Sequence, residues 1–271
     1  MSKPNHEYHL VNPSPLPIFS SFALMIGASG GIMMMHKYKF GAIVTLIGML
    51  MILASMYAWW SNVIDEGRID KAHTPIVRKG LALGMLIFIT SEIMFFFAFF
   101  FAFFHEVIFP VDQLDGVWSV GNGVWPPVHI KTLDPWSLPF MNTLILLLSG
   151  TTVTWAHYAM LENNRSDMIR GLGYTIGLGL FFSCVQAYEY IHASFKFTEG
   201  VYPSIFYMAT GFHGLHVFIG TIFLAVCWIR AKNGHFDKGN GHLGFEFAAW
   251  YWHFVDVVWL FLFVFVYIWG K

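Results

Sequence analysis

Charge is what this sequence has least of. Asp, Glu, Lys and Arg make up 11% of its 271 residues, against about 25% in soluble domains. The 15 basic and 16 acidic residues nearly cancel to a formal charge of −1. No basic run is dense enough for a nucleic-acid footprint. Cysteine is as scarce. Cys184 and Cys227 both fall in apolar segments and read as small buried hydrophobes, neither a disulfide nor a metal pair. There is no glycine-rich phosphate loop, no Ser-His-Asp signature, no internal repeat and no low-complexity linker. The opening residues, MSKPNHEYHLVNPSP, have no apolar core after a basic start, so they do not read as a signal peptide.

Apolar residues fill the space that charge leaves. The chain is 56% hydrophobic and 19% aromatic, with 29 Phe and 11 Trp, a composition suited to lipid and to aromatic belts at its interfaces. Seven apolar runs, at about 16–35, 40–64, 78–105, 138–161, 171–192, 201–229 and 243–269, are each long enough to span a bilayer as a helix. The expectation is an all-α polytopic membrane protein, a single transmembrane domain over 1–271. Gly27 and Gly31 in the first run have the spacing that lets helices approach closely. With the N-terminus on the cytoplasmic or matrix side, Lys3, Arg68, Lys71, Arg78, Lys79, Arg165, Arg170, Arg230, Lys232 and Lys238 lie inside. Lys37, Lys39, Lys131, Lys196 and Lys271 then lie outside with the C-terminus, and the Lys37/Lys39 loop dissents from the rule. The longest loop, from Glu106 to about Pro135, is on the outer side. Its Trp118, Gly121–Gly123 and Trp125–Pro127 suggest a compact cap.

The chain is organised around the third run, RKGLALGMLIFITSEIMFFFAFFFAFFH. Glu92 is its only charge between the ends, fourteen residues after Arg78 and thirteen before His105. That places it near the middle of a hydrocarbon layer roughly 30 Å thick. Desolvation there disfavours the anion, so a neutral carboxyl with a partner from another helix is expected, and His213 and His216 in the sixth run are the candidates. Two readings stay open: a functional intramembrane acid, and a hydrogen bond that fixes packing. The eight phenylalanines from Phe95 to Phe104 fall on all helix faces. Lipid-facing bulk accounts for most of them, and one face could line a dry route for small apolar molecules.

Thirteen histidines raise the question of metal. Glu189 and His192 have the Glu-x-x-His spacing of a di-iron bundle, but the second such pair and the two further glutamates that site needs are missing. His213 and His216 share a face beside Gly211, Gly214 and Gly220, which favours close packing and cross-helix hydrogen bonds over ligation. Glu246, His253 and Asp256 form a polar stripe on the seventh helix. Lipid offers such groups no partner, so the stripe should face protein, as a proton relay or as interhelical or intersubunit hydrogen bonding. The absence of lysine from this helix excludes a retinal Schiff base there.

The strings ATGFHGLHVFIGTIFL (209–224) and GFEFAAWYWHFVDVVWLFLFVFVYIWG (244–270) carry a resemblance. So do SEIMFFFAFFFAFFH, NTLILLLSGTTVTWAHYAML and QAYEY, in order from YHLVNPSP (8–15) to the C-terminus. Together they resemble the cytochrome c oxidase subunit III family of the heme-copper oxidases, with weakest agreement over 111–127. The resemblance implies helices 1–2 and 3–7 in two groups around a V-shaped cleft that holds phospholipids. It implies a subunit with no heme or copper of its own, those centres lying in partner subunits, and an enzyme only as part of the oxidase complex. It would bind subunit I beside subunit II, with accessory subunits or other respiratory complexes as further partners. There it would support proton uptake and protect the active site during turnover, in a bacterial cytoplasmic or mitochondrial inner membrane. By position, Glu92 matches the family's carbodiimide-reactive carboxylate. Trp59, Trp60, Glu66, His73 and Arg230 match residues at the inner lipid headgroups, while Ala72 stands where many relatives have a second histidine. The quinol-oxidising relatives typically lack the first two helices, which this chain has. A transporter would show repeat symmetry or paired broken helices, and neither is visible. A membrane di-iron enzyme is the remotest alternative.

Overall fold

Small residues set the first helix pair. In the computed structural model, which describes residues 6–110, 113–114, 118–119, 125–127, 130–236 and 242–271, α1 spans Leu16–Met35 and α2 spans Gly41–Arg68. Ala23 and Gly30 are the buried residues of α1, and Gly41, Gly48 and Ser55 those of α2. The backbones touch where these residues meet: a Cβ on Gly48 would overlap the backbone of Gly27, and one on Gly30 would overlap that of Thr45. The Ser20 and Ser55 hydroxyls bond to each other farther along the seam. Gly31, expected to share this contact with Gly27, faces open space, and Gly30 takes its place. Leu24, Met25, Leu46, Leu50 and Leu53 stay exposed, as a helix pair bathed in lipid can leave them.

The chain divides into two compact units, Met1–Leu81 and Ala82–Lys271. α3 (Pro75–Ile108) begins in the first and runs through the second. The second unit adds α4 (Leu138–Leu161), α5 (Arg165–His192), α6 (Val201–Lys232) and α7 (Leu243–Phe261), which continues as a π-helix over Leu262–Trp269. All seven helices are long and apolar enough to cross a membrane. Several outrun the expected spans: α2 continues to Arg68, α3 starts at Pro75, α5 at Arg165 and α6 ends at Lys232. The apolar count stops at the first charges, but a helix keeps its backbone bonds through the headgroup region, where charges are solvated. Asn164 caps α5 by accepting from the Asp167 amide at 3.2 Å. Arg165 donates to the carbonyls of Ala231 and Lys232, which ties the start of α5 to the end of α6.

The core of the second unit is built on α7. Trp252 and Trp259 are fully buried. The Trp252 ring fills a slot that Gly179 of α5 and Gly220 of α6 leave open; a Cβ on Gly179 would sit 2.7 Å from its Cη2. Indole nitrogens of Trp252 and Trp259 donate to Ser149 and Thr143 of α4, both at 2.9 Å. Gly211 and Gly214, expected at close contacts of α6, have almost no neighbours, so Gly220 alone of the three is packed tightly. Cys227 is buried as expected, but Cys184 is exposed on α5, because a residue in a membrane helix can be apolar and still face outward.

Six of the eight phenylalanines of α3 pack against protein, which corrects the expectation that most face lipid. Phe95 and Phe99 meet Phe212, Phe96 meets Phe254, Phe100 and Phe104 meet Phe265, and Phe103 meets Trp125. Phe97 and Phe101 point outward. In the loop between α3 and α4, β1 (Gln113–Leu114) pairs antiparallel with β2 (Trp118–Ser119) in the register Gln113 to Ser119. Trp125 packs on Phe103 and Tyr202, and Ser194 donates to the Lys131 carbonyl at 2.6 Å. Gly121–Gly123 lie outside the described residues.

Candidate functional site at mid-membrane

Glu92 lies seventeen residues from Pro75 and sixteen from Ile108 in α3; His216 lies fifteen from Val201 and sixteen from Lys232 in α6. Both are therefore midway along their spans, and they meet: Glu92 Oε2 is 2.7 Å from His216 Nε2. The other ring nitrogen fixes the proton count. His216 Nδ1 is 2.6 Å from the Phe212 carbonyl, which can only accept, so Nδ1 carries a hydrogen. Nε2 and Oε2 at 2.7 Å then need one proton between them. Either a neutral acid donates to a neutral imidazole or a carboxylate accepts from an imidazolium, and the pair is uncharged in both forms. An uncharged pair is the form a membrane interior tolerates.

Aromatic rings enclose the pair. The His216 ring is edge-on to Phe96 at 5.0 Å and stacked with Tyr251 at 6.3 Å, with Phe95 and Phe254 nearby. The side chain of Glu92 remains 23% exposed against 10% for His216, so the carboxyl can be approached from outside the bundle. His213, the other candidate partner, points elsewhere: its Nε2 donates to the Val255 carbonyl at 3.1 Å in the full interior.

Glu189 and His192 do not converge. Glu189 Oε1 accepts from Tyr267 at 2.7 Å and from Gln186 at 3.2 Å, and Asn142 donates to Gln186 at 3.3 Å. His192 instead stacks on Tyr188 and donates Nδ1–H to its carbonyl. Among the described residues no three His, Cys, Asp or Glu side chains are grouped so that they could hold a metal ion.

Residues 6–271 match the family described as cytochrome c oxidase subunit III. The chain belongs to that family. It is 61% identical over 268 residues, 98% of this chain and 97% of the relative, to a probable cytochrome c oxidase subunit 3 of Rickettsia bellii. It is 53% identical to a cytochrome c oxidase subunit 3 of Prototheca wickerhamii, covering 98% of each chain, and 49% identical to that of Dugong dugon over the full length of both. Membership in the cytochrome c oxidase subunit III family implies a membrane-embedded chain that works in a complex with other oxidase subunits.

The remaining residues that the subunit III resemblance singled out fall in both units. Trp59 and Trp60 are exposed near the end of α2, and Glu66 and His73 are partly buried. His73 lies against Gly67, Arg78 donates to its carbonyl at 3.1 Å, and Thr74 donates to the Glu7 carbonyl at 2.7 Å. Burial lowers the His73 pKa, as do nearby His9 and Arg78, against an opposing pull from Glu66. Arg230 stacks its guanidinium 4.7 Å over the Phe236 ring and abuts Gly244. On α7, Asp256 is buried, Glu246 partly so and His253 exposed, so the stripe does not point uniformly into this chain's own core. Sequence reasoning missed the bonded set of Asn142, Gln186, Glu189 and Tyr267, and the Thr154 and His157 side chains near His253. The signal for the first was present: Gln186 and Glu189 are polar, three apart, inside an apolar span.

Proposed function

We propose that this chain is the non-catalytic third core subunit of a proton-pumping, aa-type cytochrome c oxidase of the aerobic respiratory chain. Subunits I and II supply the heme and copper. This chain binds subunit I and phospholipids, supports proton uptake and stabilises the active site through turnover. The observation that carries the reading is the family match over 6–271, with near-complete coverage of relatives in both directions. Trp59, Trp60, Glu66, His73 and Arg230 are its lipid-headgroup residues, on the inner side with the N-terminus. Arginine suits a phosphate because its guanidinium makes paired charge-assisted hydrogen bonds. Glu92 is first a structural residue: paired with His216, it joins α3 to α6 by the one kind of contact that lipid cannot replace.

The test is purification of the native complex from its membrane. The chain should be present at one copy per heme-bearing subunit. After separation it should carry no stoichiometric heme, copper, iron or zinc, and oxidase stripped of it should start at full speed and lose activity during turnover. One chelator-resistant metal per isolated chain would overturn the reading.

A further inference from the structure

Four buried polar side chains meet where α4 begins and where α5 and the π-helical stretch after α7 end. Asn142 lies four residues after Leu138, Glu189 three before His192 and Tyr267 two before Trp269, each within about one turn of its helix end. Gln186 stands one turn farther in. α5 has 28 residues, so it is about 42 Å long, against a hydrocarbon layer roughly 30 Å thick. With α5 centred in that layer, Glu189 lies at the headgroup level, where water is at hand. All four side chains are nonetheless sealed in protein, Asn142 at 0% and Glu189 at 2% exposure. No Lys, Arg or His pairs with Glu189 among the described residues.

Three planar groups are joined head to tail. Asn142 Nδ2 donates to Gln186 Oε1 at 3.3 Å, and Gln186 Nε2 donates to Glu189 Oε1 at 3.2 Å. Tyr267 gives Oε1 a second donor at 2.7 Å and accepts from Gln186 Nε2 at 3.5 Å. One atom is left over at each end of the row. Asn142 Oδ1 and Glu189 Oε2 are both buried without a hydrogen bond among the described residues, so they do not bond to each other. A carboxylate would make these two bare acceptors. In a carboxylic acid with Oε1 accepting, Oε2 is the hydroxyl oxygen and has a hydrogen to give. The ends are then complementary, and bonds that run head to tail polarise one another.

We propose that Glu189 is a neutral acid and that, with Asn142, it binds one enclosed water molecule. The water accepts the Glu189 hydroxyl hydrogen and donates to Asn142 Oδ1. A buried water needs at least two polar partners, and it bridges groups that cannot meet directly. The ring so closed clasps α4 to α5, and Tyr267 ties it to the π-helical stretch, a local irregularity that recurs at functional sites. The site consists of this chain's own residues and is independent of the function proposed above.

Infrared difference spectra of the purified native complex at neutral pH, wild type minus Glu189→Gln, test the acid. They should contain a carboxylic carbonyl band distinct from any that Glu92→Gln removes; carboxylate bands alone would overturn the proposal. In wild type minus Asn142→Leu, a water stretching band that shifts in oxygen-18 water should appear, together with a displaced Glu189 carbonyl band. Absence of either would count against the bridge. A density map of the unmutated complex decides the matter even if Asn142→Leu does not assemble: one water should lie within about 3 Å of both Glu189 Oε2 and Asn142 Oδ1. Direct contact between the two side chains, or a metal ion between them that chelation removes, would refute it. Glu189→Gln puts an N–H where the hydroxyl stood, so a map of this variant should retain the water, and its loss there would also overturn the assignment.

Discussion

Replacing Glu92 separates the two proton arrangements that its 2.7 Å contact with His216 allows. If a neutral acid donates to a neutral imidazole, Glu92→Gln keeps a donor at the same reach, since the side-chain amide can point an N–H at Nε2. Glu92→Ala instead strands Nε2 of a histidine that is only 8% exposed. A buried group left without its partner costs about 1–3 kcal/mol, and cross-helix bonds in membranes average about 0.6 and reach about 1.7 kcal/mol. The alanine variant should therefore lose about 1–2 kcal/mol. At roughly 2–4 °C per kcal/mol for a unit of this size, the melting midpoint of the purified oxidase should fall by about 2–8 °C. The glutamine variant should stay within about 2 °C, with normal assembly and electron transfer. Infrared spectra of the wild type should contain the carbonyl band of an un-ionised carboxylic acid that Glu92→Gln removes. A glutamine variant as unstable as alanine, with no such band, would mean a carboxylate–imidazolium pair and refute the neutral form. Loss of proton pumping in a well-assembled glutamine variant would make the carboxyl a proton carrier.

Gly48→Leu should push α1 from α2, because its side chain has only the Gly27 backbone to enter. Overpacking costs about 1–3 kcal/mol, and a Ser20→Cys/Ser55→Cys disulfide should form much more slowly in this background; an unchanged rate would refute the contact. Trp252→Phe, which keeps a ring in the Gly179–Gly220 slot but loses the bond to Ser149, should cost about 1 kcal/mol. Trp252→Ala should cost about 3–5 kcal/mol in thermal unfolding, and equal losses would show that the slot is unimportant. The His73 pKa is depressed in the fold, so between that value and the ordinary 6.5 the unfolded state binds more protons. Local stability should be full above about pH 6.5 and decline as pH falls through this window. The protection factor of the Thr74 amide, taken against the intrinsic exchange rate at each pH, should accordingly fall from pH 8 to pH 5, and less so in His73→Gln.

The helices were legible because lipid imposes a simple rule: a long uncharged run has to satisfy its own backbone, and only a helix does so within one segment. Leu16–Met35 and Leu138–Leu161 begin and end where composition changes. The misplaced ends share one cause. Charged residues at 65–68, 165–170 and 230–232 stop an apolar count but not a helix. The π-helix at Leu262–Trp269 had no Gly or Pro to announce it, and its residues are as apolar as the turn before. Which residues face protein was hardest to read. In water an apolar residue points inward, whereas in lipid both faces of a helix are apolar, so the Phe run, Cys184 and Gly31 could not be assigned from pattern alone.

Polar residues escape that ambiguity, and the site was legible through them to the degree that depth alone decides. Counting residues put Glu92 level with His213 and His216. Choosing between them needs the rotation of α6, since residues three apart point roughly 60° from each other. The fold sends His213 to the Val255 carbonyl inside the bundle and leaves His216 on the side of α3. Depth separates the two buried acids of the second unit. Glu189, three residues from the end of α5, takes Tyr267 and Gln186 on Oε1 and leaves Oε2 buried without a hydrogen bond among the described residues. Asp256, midway along α7 and its π-helical extension, likewise leaves Oδ1 buried without a hydrogen bond among the described residues, and it lines a pocket with Thr154 and His253. A membrane protein cannot leave such a group to the lipid. The bond from Glu92 to His216 is where polarity at mid-membrane holds this chain together, joining α3 to α6.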